Sequence, residues 1–85
     1  MTTYYWYKTC PHCAQDRLVM QWNGDTHALY LHCGECEWGW RHPDEVADPS
    51  KGFLTLLEDF VSENPSLKQI ENAGWASFVS GSFVA

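Results

Sequence analysis

Basic side chains are scarce in this chain of 85 residues, which has five lysines and arginines against eleven aspartates and glutamates. The formal net charge is −6. A protein that binds duplex DNA or RNA neutralises phosphates with clustered lysine and arginine, whereas the five basic residues here are scattered. The composition therefore argues against a nucleic-acid partner.

Long apolar runs are absent as well. No stretch approaches the roughly 18 consecutive apolar residues that predict a membrane-spanning helix. The first five residues contain no basic segment followed by an apolar one, so no secretory signal is visible. We therefore expect a soluble cytoplasmic protein whose thiols are reduced.

The motifs of common enzyme classes are missing too. The sequence contains no glycine-rich phosphate loop, no nucleophile elbow and no H-E-x-x-H zinc motif. The four histidines stand at no spacing that supports an acid–base site: His12, His27, His32 and His42. We predict that the protein is not an enzyme.

Four cysteines are the most informative feature that is present. They form two C-x₂-C pairs, Cys10 with Cys13 and Cys33 with Cys36, separated by 19 residues. Four-sulfur zinc sites have this pattern, with about 15–20 residues between the pairs. Two intervening residues let one tight turn direct two thiolates at one ion, and a hairpin brings over the second turn. We predict a structural Zn²⁺ held by all four sulfurs, which leaves no open position for catalysis.

Three alternative interpretations of the cysteines remain to be weighed. Disulfides need an oxidising compartment, and bridges within a C-x₂-C pair close very small loops. A Cys₃His site would use His12, His32 or His42, although four well-spaced cysteines require no histidine. Residues 10–13 (C-P-H-C) resemble the active-site motif of thioredoxin-like periplasmic oxidases. Residues 17–24 predict strand and turn, however, so the helix that stabilises the thiolate in that family is missing.

The segments around the cysteines predict strands. Residues 4–9 read as one strand, and residues 17–22 and 25–32 alternate as a hairpin joined by Asn23-Gly24, which favours a type I′ turn. Residues 37–41 predict a further strand. Over residues 4–42 the predicted order is strand, cysteine turn (knuckle), hairpin, second knuckle and strand. This order resembles the zinc-ribbon superfamily. That family usually has glycine after the second cysteine of each knuckle, and this chain departs from it with Ala14 and Glu37.

After Pro43 the pattern predicts helices. Residues 48–50 (D-P-S) suit a helix start, and apolar residues at 53, 56, 57 and 60 follow a helical period. Ser66 and Gln69 form a predicted capping box, and Gly74 a Schellman stop with Trp75 folding back. We expect a helical part over residues 48–80 packed on the ribbon, and a loose end near residues 80–82. The predicted fold is one α+β domain over residues 1–85.

The acidic excess is confined to one segment. Residues 35–63 hold eight acidic and two basic residues, which equals the whole net charge of −6. This segment is either a solvated face or a surface that steers a basic partner. The candidate contacts are Glu45, Asp48, Glu58, Asp59 and Glu63. Trp38 and Trp40 are candidate interface anchors, or core residues under the C-terminal helices.

Small size, expected location and the acidic segment are similar in general character to bacterial immunity proteins and antitoxins. This resemblance implies a non-catalytic protein-interaction module that neutralises a basic toxin. Two alternatives stay open. One is a nucleic-acid-associated zinc ribbon of the transcription or translation machinery, and the other is a thiol–disulfide oxidoreductase that uses Cys10 and Cys13.

Overall fold

A computed structural model describes residues 2–55 and 62–84 of the chain. Within these ranges the chain is mostly antiparallel sheet, with one α-helix, α1, at Leu67–Asn72. No helix in these ranges is long and apolar enough to cross a membrane. The strands are β1 Thr3–Thr9, β2 Arg17–Asn23, β3 Ala28–Cys33, β4 Trp38–Trp40, β5 Phe53–Leu54, β6 Ser62–Glu63 and β7 Gly81–Val84.

All these strands belong to a single sheet. Their order is β5-β4-β3-β2-β1-β7, and β6 pairs with the far end of β2. Short 3₁₀ turns lie at Pro43–Glu45, Pro49–Lys51 and Ala76–Phe78. The sheet order places β4 and β5 at one edge and β1 and β7 towards the other.

The hairpin of β2 and β3 is confirmed, but the predicted two-residue turn is wrong. Asn23 pairs with Ala28, so the loop has four residues, 24–27. The Asn23 side-chain oxygen accepts hydrogen bonds from the N–H groups of Asp25 and Thr26, at 2.9 and 3.2 Å. His27 has a φ of 55° and donates its N–H to the Asn23 carbonyl at 2.8 Å. The asparagine thus directs a wider turn through its side chain.

The core lies on the face of the sheet that carries the alternating apolar residues of the hairpin. Leu18 and Met20 of β2 and Leu31 of β3 are fully buried there. Ile70 and Trp75 pack against the same cluster from the C-terminal part of the chain. Cys10 and Cys33 are also fully buried members of this cluster. The cysteine turns are therefore continuous with the core.

Both predicted ends of the helix at residues 67–72 are confirmed. Ser66 accepts a hydrogen bond from the Gln69 N–H at 3.2 Å, and the Gln69 side chain accepts one from the Ser66 N–H at 2.8 Å. Gly74 has a φ of 79°, and the Trp75 N–H donates to the Ile70 carbonyl at 3.0 Å. These contacts are the capping box and the Schellman motif.

The helix predicted from residue 48 onward is not found in the part of it that the structure describes, up to residue 55. Asp48 does cap a turn, since its carboxylate accepts from the Ser50 N–H at 3.0 Å, but the turn lasts only three residues. Phe53–Leu54 then pairs with β4 as a strand, because the edge of β4 offers free backbone hydrogen-bonding groups. The predicted helical positions at 56, 57 and 60 lie outside the described residues.

The C-terminal segment is also more ordered than predicted. Gly81–Val84 is not a loose end but strand β7, which pairs with β1 from Trp6 to Thr3. Over residues 2–55 and 62–84 the fold is therefore a mostly antiparallel sheet with one short α-helix, and the helical part predicted over residues 48–80 is confirmed there only at Leu67–Asn72.

Candidate metal centre

Two similar turns carry the four cysteines. Cys10 follows β1, and Cys33 is the last residue of β3. The Ala14 N–H donates to the Cys10 carbonyl at 2.9 Å, and the Glu37 N–H donates to the Cys33 carbonyl at the same distance. Each C-x₂-C pair is thus closed by the same backbone hydrogen bond. We call these two turns the knuckles, residues 10–14 and 33–37.

The residue after each second cysteine has left-handed backbone geometry. Ala14 has a φ of 56° and Glu37 a φ of 61°. This conformation costs an L-residue roughly 1–2 kcal/mol relative to glycine. Gly34, inside the second knuckle, does not have a positive φ. Both knuckles therefore adopt left-handed geometry at this position without a glycine, and Ala14 and Glu37 carry its energetic cost.

The structure brings the four sulfurs together. All four Sγ atoms lie within 4.8 Å of one another. Cys10 Sγ is 3.8 Å from Cys36 Sγ, and Cys13 Sγ is 3.5 Å from Cys33 Sγ. Four sulfurs in a tetrahedron with metal–sulfur bonds of about 2.3 Å lie about 3.8 Å apart. The arrangement can hold a metal ion, and both short distances join one knuckle to the other.

Burial divides the four thiols into an inner and an outer pair. Cys10 and Cys33 have no exposed surface, while Cys13 and Cys36 are half-buried. On the outer side the His12 ring stacks on Trp38, with centroids 4.9 Å apart and planes 15° apart. A metal ion here would be enclosed by the core on one side and by the knuckles on the other.

Backbone amides around the knuckles change the acidity of the thiols. The Gln15 N–H, aided by that of Asp16, lowers the pKa of Cys13 from 9.0 to about 7. Burial raises the pKa of Cys33 to about 12, although the N–H groups of Cys36 and Glu35 act in the opposite direction. Burial also raises the pKa of Cys36. A cation that displaces these protons would relieve the cost of burying thiolates in the core.

The two rival site chemistries receive little support from this geometry. In the described ranges, the side chains close enough to share a metal ion are the four cysteines, with no histidine among them. His32 instead lies 2.9 Å from the Glu37 carboxylate. The chain after Cys13 bends at residues 14–16 and enters β2, so no helix starts at this thiol. The helix expected of a thioredoxin-like site is therefore missing.

Asp16 holds the first knuckle in place and Thr55 holds the second, and the sequence predicted neither contact. The Asp16 carbonyl accepts the Cys10 N–H at 2.8 Å, which closes the first knuckle onto the start of β2. Thr55 donates its N–H and its hydroxyl to the Glu37 carbonyl, at 2.8 and 2.7 Å. This contact ties the end of β5 to the second knuckle. It joins residues 18 positions apart, so no local pattern signals it.

The two tryptophans predicted as interface anchors have different positions. Trp40 is 1% exposed and its indole N–H donates to the Asp48 carbonyl at 3.3 Å, so it is a core residue. The sequence left two positions open for Trp40, interface anchor and core residue, and the structure has it in the core. Trp38 is partly buried, and its indole N–H is buried without a hydrogen-bond partner among the described residues.

The acidic residues predicted to contact a partner differ in their exposure. Glu45 is half-buried, and its carboxylate lies 3.9 Å from the Lys51 ammonium. Asp48 is exposed, and Glu63 is exposed on β6. Glu58 and Asp59 lie outside the described residues.

No family model matches the chain, and the searches of curated proteins and of solved structures found no match. The metal centre is therefore inferred from the four sulfurs and the backbone around them.

Proposed function

We propose that the four cysteines bind one structural Zn²⁺ ion and that the protein is a non-catalytic, cytoplasmic protein-interaction module built on it. The observation that carries the proposal is the sulfur geometry, with separations of 3.5 and 3.8 Å across the knuckles. Tetrahedral four-sulfur sites favour zinc or iron–sulfur centres over hard cations. A closed shell of four thiolates leaves no position for a substrate or a catalytic water.

The ion is proposed to be a condition of folding. Structural zinc contributes on the order of 10–16 kcal/mol in small metal-dependent folds. The net stability of a whole domain is only about 5–15 kcal/mol. Because Cys10 and Cys33 belong to the core cluster, loss of the ion would remove the bonds that hold both knuckles against the core. We therefore expect the metal-free chain to lose its tertiary structure.

Metal analysis and cobalt substitution test this first part. We expect one equivalent of zinc per chain, a visible spectrum of tetrahedral thiolate after Co²⁺ exchange, and loss of near-ultraviolet circular dichroism with a chelator. Cys33→Ser should abolish stoichiometric binding. His12→Ala is the matched control, because it alters a knuckle residue that is not among the grouped sulfurs, and should retain one equivalent. Absence of metal, or iron in its place, would refute the zinc assignment.

We further propose that the acidic segment, residues 35–63, binds a basic protein and that this partner is a bacterial toxin. Asp44, Asp48 and Glu63 expose their side chains. Hydrogen bonds from the Ser50 hydroxyl and N–H lower the pKa of Asp48, so this carboxylate stays ionised at neutral pH. Zinc bound by four thiolates adds two negative charges beside Glu35 and Glu37. Attraction by such a segment accelerates encounter with a basic surface.

Affinity capture with matched charge variants tests the partner. One variant carries Asp44→Asn and Glu63→Gln within the acidic segment; the control carries Asp25→Asn and Glu71→Gln outside it. All four side chains are exposed, so both variants should fold. We expect the control and the wild type to capture a basic protein in a salt-sensitive manner, and the first variant to lose it. Salt-dependent binding of RNA or DNA instead, or unchanged toxin sensitivity after deletion of the gene, would contradict this proposal.

A thiol–disulfide function has one observation in its favour, namely the pKa of about 7 for Cys13. An oxidoreductase would need this thiol to react in the folded protein as isolated. Under the zinc proposal the thiols should react with a disulfide reagent only after a chelator is added. Rapid reaction of two thiols without chelator would favour the redox function over the structural one.

A further inference from the structure

The two edges of the sheet differ in how they are protected. At one edge, β5 has only two residues, and the Arg41 guanidinium lies 4.0 Å from the centre of the Phe53 ring. At the other edge, β7 has four residues, Gly-Ser-Phe-Val, with no charge and no proline. Short length, charge and proline are the usual means of preventing strand-to-strand association. Strand β7 contains neither a charged residue nor a proline.

Strand β7 presents an unpaired side and an exposed apolar residue. It pairs with β1 on one side, and no strand in residues 2–55 and 62–84 pairs with the other. The backbone groups on that side are a template for another extended strand. Val84 is 56% exposed, more than any other large apolar side chain in those ranges; the next, Leu67 on α1, is 45% exposed.

Charge selects a neutral partner for this edge. Strands β1 and β7 together contain one charged residue, Lys8. The acidic segment begins around β4, which is separated from β7 by four strand spacings, about 19 Å at about 4.8 Å per spacing. This is more than twice the Debye length of about 8 Å at physiological ionic strength. A basic partner is therefore attracted elsewhere, and a second copy of this chain meets little like-charge repulsion here.

We propose that β7 pairs with β7 of a second copy to form a two-fold symmetric dimer with one continuous sheet. This inference is independent of the proposed function, since it concerns a strand outside the acidic segment and a different partner. A two-fold axis perpendicular to a continuous sheet keeps each side chain on its own face. Phe83 can then oppose only Phe83 or Gly81 of the second copy.

Aromatic stacking selects the register centred on Phe83. Phe83 pairs with Tyr4 across the strands, and their rings are stacked with centroids 5.3 Å apart. Pairing Phe83 with its counterpart extends this pair to a row of four rings on one face. It also sets Val84 beside Ser82 of the second copy, so that the exposed valine is covered. Cross-strand aromatic pairs of this kind stabilise antiparallel pairing.

The dimer should be weak and closed. Three residues per chain pair along β7, so the interface falls below the roughly 1,200 Å² of standard complexes and dissociation is expected in the micromolar-to-millimolar range. The two-fold pairing uses the same strand of both copies, which leaves no further β7 edge free. Association should stop at two copies and should not continue to fibres.

Sedimentation of the metal-loaded protein over a range of concentrations tests the proposal. We expect reversible monomer–dimer behaviour for the wild type and at least tenfold weaker association for Val84→Lys. Leu67→Lys is the matched control, because it adds the same charge at the other exposed apolar residue and should dimerise as the wild type does. Thermal unfolding of both variants checks that they fold. Hydrogen exchange should show slower exchange of the β7 amides at high concentration.

Several outcomes would overturn the proposal. A wild type that stays monomeric up to millimolar concentration would do so, and so would Val84→Lys dimerising as strongly as Leu67→Lys. Open-ended association would show that the contact is not two-fold. Protection of β7 by the basic partner, with no dimer, would assign the edge to that partner. The first three results do not depend on whether the acidic segment binds a toxin.

Discussion

Ala14 and Glu37 occupy the same position in the two knuckles, and their backbones have nearly the same left-handed geometry, with φ values of 56° and 61°. Each donates its N–H to the carbonyl of the first cysteine of its own pair. The two knuckles therefore have the same closure although neither has glycine at this position. Each turn must direct two sulfurs at one point, which requires this backbone geometry. Ala14 and Glu37 adopt it although it is energetically less favourable for them than for glycine.

Replacing Ala14 by glycine should stabilise the protein. The left-handed conformation costs alanine roughly 1–2 kcal/mol. The greater freedom of glycine in the unfolded chain offsets about 0.5–1 kcal/mol of that gain. We expect Ala14→Gly to raise the free energy of unfolding by about 0.5–1 kcal/mol, measured by denaturant titration at fixed free zinc. A decrease would show that Ala14 contributes contacts that outweigh its strain.

Adding a methyl group at Gly39 should destabilise the sheet. A Cβ there would lie 2.6 Å from the Leu31 carbonyl oxygen and 2.6 Å from Thr55 Cγ2, so the backbone of β3 or β4 must shift. Overpacking of this kind costs typically about 1–3 kcal/mol. Gly34→Ala is the control, because its nearest contact would be the Asp16 carboxylate at 3.4 Å. Equal midpoints of thermal unfolding for the two variants would contradict the packing around β4.

Alkylation at pH 7 immediately after a chelator removes the metal, before the tertiary structure is lost, should modify Cys13 before Cys33. The thiolate is the reactive form. With a pKa of about 7, Cys13 is about half ionised at that pH, whereas Cys33, with a pKa of about 12, is protonated and buried. A short iodoacetamide pulse started together with the chelator, followed by peptide mass spectrometry, gives the order. Equal rates at the two cysteines in the earliest pulse would contradict the difference in acidity between them.

Ionisation of Tyr30 should lower the free energy of unfolding at alkaline pH. Burial raises the pKa of Tyr30, the hydrogen bond with Ser62 lowers it, and the Glu37 charge raises it, with a net increase. The unfolded tyrosine ionises near pH 10 while the folded one keeps its proton, so this contribution is complete below about pH 10 and is lost as pH rises towards the folded pKa. Tyr30→Phe should flatten the curve of unfolding free energy above pH 10. Parallel curves for wild type and variant would rule out this tyrosine as the source.

The features predicted correctly are those that depend on neighbours in sequence. The capping box of Ser66 and Gln69 and the left-handed Gly74 are each set by hydrogen bonds that span a few residues. Pairing of β2 with β3 follows from alternating apolar residues on both sides of one turn. The turn itself was mispredicted, because the Asn23 side chain competes with the type I′ geometry by bonding the N–H groups of Asp25 and Thr26.

The features mispredicted depend on distant strands. Phe53 follows a helical period, yet it pairs with Gly39 because β4 supplies an open edge. The terminal segment around Phe83 has no local signal of its own and becomes a strand only beside Tyr4 of β1. Trp40, for which the sequence left both a core and an interface position open, lies in the core because its strand pairs with Leu31 of β3. In each case a backbone hydrogen bond or a buried contact with another strand outweighs local propensity.

The sequence by itself determined the four cysteines, their spacing, the hairpin between them and the acidic segment that follows. Their spacing restricts each pair to one tight turn, which is a property of a few adjacent residues. Only the tertiary structure decided that Cys13 Sγ approaches Cys33 Sγ to 3.5 Å, that Thr55 holds the second knuckle, and that β7 forms an unprotected edge. These relationships join residues that are distant along the chain, and only packing of the whole sheet can bring them together.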